Sequence, residues 1–319
     1  MREKAVSYLR QAGVKAVARS ALTEARAWFE QALDVLQALP ESESTLEQAF
    51  EIRLELRPVL GQLGEVERTL ERLREAEVLA ERLNDDRRRG RVLAFVTTVH
   101  SLRGELNEAL VTGTRALEIA GRLGDLRLRI LTTSYLEQAH YLRGEYERVV
   151  ELAADNLAAL PSDWVYEHLG QALPISVFDR AWMVVSLSQL GRFAEGVEYE
   201  AEAIRLAETT QGPFSVGMAH YGAGLLHLAR GEWVKARSLI ARAIEVIRAG
   251  NVVLMLPIVV ASFASILAQL GEATEALNWL REGERLLEGQ AARGVVLLRG
   301  WDYHLLGRAW LVLGQLDEA

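Results

Sequence analysis

Apolar and polar positions alternate along the chain in blocks of helical length. A block that is apolar nearly all round, such as VLAFVTTVHSLR at 92–103 or AWMVVSLSQL at 181–190, precedes one with an apolar stripe, such as ELNEALVTGTRALEIAGRL at 105–123. Apolar residues recurring at three- and four-residue steps predict α-helix. The first kind of block predicts a helix covered by neighbours on several sides, the second a helix with one face in water.

The blocks repeat. Gly64, Gly104 and Gly144 stand 40 residues apart, as do Gly191, Gly231 and Gly271. The step from Gly144 to Gly191 is 47, that from Gly271 to Gly314 is 43, and Ser20 takes the same place 44 residues before Gly64. Each of these eight positions separates a first helix from a second, where glycine suits a sharp turn. The register holds in detail: the stretches starting at Gly64 and Gly104 share Ala76/Ala116, Ala80/Ala120, Leu83/Leu123 and Asp85/Asp125. Ala25, Ala109, Ala236 and Ala276 lie five residues past a turn, and Ala32, Ala76, Ala116, Ala203 and Ala243 lie twelve past it. Small residues at fixed places let neighbouring helices approach closely.

The pattern resembles the tetratricopeptide repeat, in which antiparallel helix pairs stack and each buries a face on the next. Gly13, Gly224, Ala264 and Gly307 fill the small place of the first helix, whereas Arg57 and Glu137 occupy it in two degenerate units. Leu306, Gly307, Trp310, Gly314 and Ala319 come near the family signature, as do Ala25, Phe29 and Ala32. The family period is about 34; the longer step here predicts helices longer by about a turn. The fold expected is an all-α solenoid over residues 1–319, about seven helix pairs plus a truncated eighth, forming a curved superhelix. Pro257 falls where a first helix begins, and Pro40, Pro161 and Pro213 between units. Pro58 lies inside a helix and is expected to kink or restart it. PSDWVYEHLGQALP at 161–174 is an insertion, either a longer loop or a short helix.

Specific strings resemble one bacterial group more closely: YLRQAGVKAVARSALTEARAWFEQALDVLQALPES at 8–42, EIRLELRPVLGQLGE at 51–65, and ALPISVFDRAWMVVSLSQLGRFAEGVEYEAEAIRLAE at 172–208. That group joins a class III adenylate or guanylate cyclase domain and an AAA-type or signal-transduction ATPase domain to a C-terminal tetratricopeptide region. The resemblance implies a regulatory fragment of a larger signalling protein, with any catalytic parts before residue 1. The chain's own end, an unpaired apolar helix, fits the same expectation.

Composition narrows the chemistry. With 36 Lys+Arg against 44 Asp+Glu the net charge is −8, which argues against direct nucleic-acid binding. No cysteine is present, so disulfides and thiolate chemistry are excluded, which fits a cytoplasmic protein. The N-terminus lacks a secretory signal. Val252 to Leu270 runs 19 residues without a charge, but Pro257, Ser262, Ser265 and Gln269 within it and its repeat register favour a buried helix over a membrane span.

No phosphate loop and no nucleophile elbow occur. His100, His140 and His227 each lie four residues before a turn glycine, a place that holds Leu60, Leu187, Leu267 and Trp310 elsewhere. It therefore reads as a packing position, and units separated by two helix layers cannot share one metal. Paired carboxylates such as Asp85–Asp86 lie at helix starts. The basic run from Asp86 to Arg91 is a solvated helix start or a site for an acidic group.

No catalytic, cofactor or metal residues are expected, and the chain is read as non-enzymatic. Its concave surface is the better candidate. Counting thirteen, ten, six and three residues back from the turns gives Arg91, Thr98, Ser101, Ser134, Gln138, Tyr141, Phe178, Met218, Tyr221, Trp301, His304 and Arg308. Tyr, Trp and Arg commonly anchor partners. The expected function is a scaffold that holds a partner protein or peptide in this groove, without membrane contact. The alternative is an inducer-sensing arm of an ATP-dependent bacterial transcription regulator, which an enclosed apolar pocket favours.

Overall fold

The computed structural model describes residues 2–296 and 299–315, and the regular elements among them are all helical. Helix pairs follow one another: α1 (Arg2–Ala18) with α2 (Leu22–Gln37), α3 (Glu43–Gln62) with α4 (Val66–Arg82), α5 (Asp86–Leu102) with α6 (Leu106–Leu123), and α7 (Leu126–Leu142) with α8 (Tyr146–Ala159). A longer connection with a 3-10 turn at Ser162–Trp164 leads to α9 (Ile175–Gln189) with α10 (Phe193–Thr210), α11 (Pro213–Ala229) with α12 (Trp233–Ala249), α13 (Leu256–Gln269) with α14 (Ala273–Ala291), and then α15 (Arg299–Val312). The expected start of a further second helix, with Ala319, lies outside the described residues. The architecture is an α-solenoid of the tetratricopeptide type.

The two kinds of block behave as their patterns require. In α4, Val66, Leu70, Leu73, Ala76, Leu79 and Ala80 form one buried face. Burying a Leu-sized side chain stabilises by about 1.5–3 kcal/mol, so this stripe outweighs intrinsic helix propensity. In α13 every residue from Pro257 to Ala268 is buried, which accounts for the charge-free run. No helix among the described residues is long and apolar enough to cross a membrane. Asp85 and Asp125 cap α5 and α7, each accepting a hydrogen bond from the backbone three residues on; such a cap stabilises by about 1 kcal/mol.

All eight turn positions take the left-handed backbone, from φ +57° at Ser20 to +79° at Gly144. In each, the amide just past the turn residue donates back to the carbonyl four residues before it, as from Glu105 to His100 at 2.9 Å and from Glu232 to His227 at 2.9 Å. This closes the helix end and reverses the chain. The small place is also explained: a Cβ on Gly13 would lie 2.7 Å from the Phe29 ring, and one on Gly224 would lie 2.4 Å from Ile240.

Pro58 does not restart the helix, since α3 runs as one element from Glu43 to Gln62. The helix is held from both sides of the proline by buried Ile52, Leu54, Leu56, Val59 and Leu60.

The superhelix also folds back on itself. The Leu254 amide, before α13, donates to the Gln62 carbonyl at the end of α3 (3.1 Å), and the Val296 amide, before α15, donates to the Leu102 carbonyl at the end of α5 (2.8 Å). Gln290 Nε2 holds the Leu254 carbonyl at 2.7 Å and ties the two loops together. These contacts close one side of the concave surface.

Candidate functional site

The inner layer is built from α3, α5, α7, α9, α11 and α13, and the insertion enters it. Arg57, in the small place of α3, lies 4.1 Å over the Phe95 ring and donates from Nη2 to the Gly170 carbonyl at 2.5 Å. Burial draws its guanidinium below the ordinary value, while the Tyr135 hydroxyl beside it acts the other way. Gly170 sits at φ +90°, and a Cβ there would lie 2.9 Å from the Phe95 ring. The degenerate Arg57 and the insertion thus serve one contact between α3 and the 161–174 segment. Gln171 and Leu173 of that segment are buried.

Beyond this plug runs a series of aromatic rings. Phe95 meets Tyr135 at 6.1 Å, Tyr135 meets Phe178 at 6.1 Å, Phe178 meets Trp182 at 6.0 Å, and Trp182 meets Tyr141 at 4.9 Å. Mostly edge-on pairs of this kind add about 0.5–1.5 kcal/mol each beyond their buried area. Two small cavities flank the series. One of about 80 Å³ touches Arg57, Thr98, Tyr135 and Leu254. The other, about 70 Å³, touches Trp182, Met218, Tyr221, Met255 and Asp302. Gln138 and Phe178 line both.

Of the twelve groove positions, Ser134 is buried in a bond to Asp179 and Ser101 lines the same recess as Tyr141; the other ten fall into three places. Thr98, Gln138, Phe178, Met218 and Tyr221 are buried around the two cavities, with Thr98 donating to Gln138 at 2.7 Å. Tyr141 and Trp301 line a more open recess of about 280 Å³ with Tyr146 and Gln189. His304 is exposed beside Trp301, 5.3 Å between rings, and Arg308 is exposed on the same helix. Arg91 stands apart in a third place, paired with Glu51 at 2.9 and 3.1 Å and lining a groove of about 700 Å³ with Arg87, Arg127 and Tyr166. The arginines of the basic run are all held by acids: Arg87 by Asp125, Arg88 by Asp85 and Glu47, and Arg89 by Asp86.

The three repeat histidines do more than pack. His100, His140 and His227 each meet, through Nδ1, the carboxylate that follows the turn glycine: Glu105 at 2.6 Å, Glu145 at 2.5 Å and Glu232 at 2.6 Å. Arg103, Arg143 and Arg230 reach the same carboxylates. The H-x-x-R-G-E spacing carried this signal in the sequence three times. The hydrogen bonds from His and Arg hold the Glu105, Glu145 and Glu232 carboxyls below their ordinary range. Among the described residues no group of three or more His, Cys, Asp or Glu could hold a metal.

Three other acids are buried in the inner layer. Asp179 accepts from Ser134 Oγ at 2.6 Å and from Asn156 Nδ2 at 2.8 Å, and burial pushes its carboxyl up to about 7. Among the described residues Glu137 has no hydrogen-bond partner for either carboxylate oxygen; burial and then the Asp179 charge push it well above the usual range. Asp302, on α15, has no partner for Oδ1, and burial alone pushes it up to about 8. The Trp182 indole N–H is likewise unpaired. Asp179 and Asp302 each lie twelve residues before a turn glycine, a repeat-register signal present in the sequence.

No family model and no curated protein matches the chain. Among solved structures, it is similar to a Rap protein complexed with competence and sporulation factor, with a TM-score of 0.65 at 14% identity over 99% of this chain and 88% of that one. It is similar also to a Rap conjugation gene regulator in complex with a Phr peptide, with a TM-score of 0.66 at 14% identity over 98% and 74% of the two chains. A signal-transduction ATPase (STAND) protein with a tetratricopeptide repeat sensor, from Pyrococcus horikoshii, has a TM-score of 0.56 at 14% identity; 98% of this chain is covered, but only 44% of that one. Likeness at this identity shows the fold.

Proposed function

We propose that the chain is a non-enzymatic regulatory scaffold that takes a peptide, or a peptide-like segment of a partner protein, into the interior of its superhelix. The observation that carries this reading is the inner surface itself. Aromatic and methionine side chains surround two cavities, and the lining of one holds a donor and an acceptor without partners among the described residues, the Trp182 N–H and Asp302 Oδ1. Buried polar groups left without partners are costly, and a peptide supplies both donors and acceptors. Two of the structural neighbours are complexes with a named factor or peptide, which supports the same class of ligand.

Cavities of 70 and 80 Å³ are smaller than the several hundred Å³ a whole ligand occupies. Binding a peptide therefore parts the loops at Leu254 and Val296 from α3 and α5 and shifts the population towards a wider superhelix. In the cytoplasm such a shift is a signal to an attached domain. The strings at 8–42, 51–65 and 172–208 and the likeness to the STAND sensor support an origin in a larger cyclase–ATPase signalling protein.

The apolar lining of the cavities also favours the second reading, an arm that senses a small inducer for an ATP-dependent transcription regulator. The test is selection of peptide ligands from a displayed library with the full chain, followed by affinity measurements on Trp182→Phe and on Tyr141→Ala with Tyr221→Ala. A loss of about tenfold or more with helical content retained places the site inside. Unchanged affinities move it elsewhere, and a library that yields no ligand while small apolar molecules bind selects the inducer reading.

A further inference from the structure

The interior cavity beside α15 has an unusual composition. Among the described residues its lining holds one carboxylate, Asp302, four aromatic side chains, Phe178, Trp182, Phe214 and Tyr221, and no Lys, Arg or His. Asp302 is buried to 1% exposure, and its Oδ1 has no hydrogen-bond partner among the described residues. The repeat shows how its partners are lost. At the equivalent place in α9, Asp179 is served by Ser134 and Asn156. The corresponding places beside α15 hold Ala261 and Gly283, which offer no side-chain donor.

A buried carboxylate walled by aromatic rings is a site for a cation of organic size. The carboxylate supplies the counter-charge, and the rings' negative faces attract the charge from the sides. The absence of a competing cationic residue leaves the place open, and a volume of about 70 Å³ admits an alkylammonium head and a few methylenes but not a larger group. We propose that the Asp302 cavity is a recognition site for an ammonium group, carried either by a peptide, as a lysine side chain or terminal amine, or by a free small amine. The proposal rests on the interior-binding reading above and specifies the chemistry of its ligand.

Proton linkage follows from the same geometry. The titratable group facing Asp302 from α11 is Tyr221; α13 carries none; on α14, which also packs on α15, Glu284 is taken up by the Trp310 N–H at 3.0 Å; and Gln138 and Gln290 are neutral. With its carboxyl pushed up to about 8, Asp302 is mostly protonated at pH 7 when the site is empty. An arriving ammonium ion keeps its own proton and favours the carboxylate, so one proton leaves Asp302 for solvent as the ion pair forms.

The test is calorimetric titration of the full chain at pH 7 with n-butylammonium chloride, with 1-butanol as the neutral isostere, and with Nα-acetyl-lysine methylamide as the peptide arm. Expected is a preference for butylammonium over butanol of about tenfold or more. It should be lost in Asp302→Asn and accompanied by release of close to one proton, read from the dependence of the heat on buffer ionisation. Tighter binding of the lysine derivative than of butylammonium identifies a peptide source; the reverse identifies a free amine; either supports the ammonium site. Equal binding of amine and alcohol, or a preference retained in Asp302→Asn, overturns it. If the variant does not fold, proton release in the unaltered chain decides, and its absence overturns the proposal. Library peptides that bind inside while no amine preference is found defeat this inference alone and leave the scaffold reading standing.

Discussion

The seam between α7 and α9 and the seam between α13 and α15 set an aspartate at the same place of the repeat and treat it in opposite ways. In the first, Asp179 accepts from Ser134 and Asn156, and Asn156 also donates to the Ile130 carbonyl at 3.1 Å. In the second, the matching repeat places hold Ala261 and Gly283, and Asp302 lines a cavity. Neither carboxylate has a buried cation bonded to it. The first seam is a completed polar network, which fixes how two units dock; the second is an incomplete one, which a ligand can finish. A repeat protein can therefore turn a structural position into a recognition position by deleting the neighbours that satisfied it.

Removing the donor from the completed seam should do the most damage. Asn156→Ala leaves Asp179 and the Ile130 carbonyl without that donor and opens a hole, so it should cost about 3 kcal/mol in urea unfolding at pH 7.

Asp302→Leu works in the other direction. Native Asp302 keeps its proton up to about pH 8 while the unfolded chain loses it near 3.8, so between those values the native state binds more protons and stability falls as pH rises. The substitution should raise stability by about 2 kcal/mol at pH 8 and by little at pH 4, as seen by comparing denaturant midpoints at the two values.

Glu137→Gln removes a second buried carboxyl that is raised by burial, and the same sign applies. Stability should rise by about 1 kcal/mol at pH 8 and stay level in acid, because the glutamine carries no charge to bury. An equal gain at both values would show that packing, not ionisation, sets the cost.

The smallest change rebuilds one seam in the image of the other. Ala261→Ser places a hydroxyl where Ser134 stands relative to Asp179. The Asp302 carboxyl should then titrate lower in side-chain NMR, with a gain of about 0.5–1 kcal/mol at pH 8.

The repeat itself was legible because each turn requires a left-handed residue and each stacking face a small one, and both leave marks at a fixed spacing. Thus Gly64 through Gly314, with Ser20, mark the helix reversals. Pro58 does not divide its helix, because burial of the residues on both sides of it holds the element together. Arg57 read as decay of the pattern because its partner, the Gly170 carbonyl, is 113 residues away in a segment with no period. Register brings Thr98, Gln138, Phe178, Met218 and Tyr221 to the two cavities and leaves Arg91, His304 and Arg308 outside them. The loop contacts beside them have no such signal, since the Leu254-to-Gln62 and Val296-to-Leu102 bonds are backbone pairs without a side-chain signature. Asp302 was within reach of the sequence, twelve residues before Gly314 as Asp179 is before Gly191, but its meaning depends on Ala261 and Gly283, which are unremarkable one at a time.

The central claim is that ligand enters the interior by parting the closed face. The chain has no cysteine, so one doubly substituted chain, Glu67→Cys with Ala292→Cys, carries a spin label at each of two exposed positions on either side of that face. Pulsed dipolar distance measurement with and without a saturating library-selected peptide should show the label separation lengthen on binding. An identical distance distribution with the peptide fully bound would contradict the account.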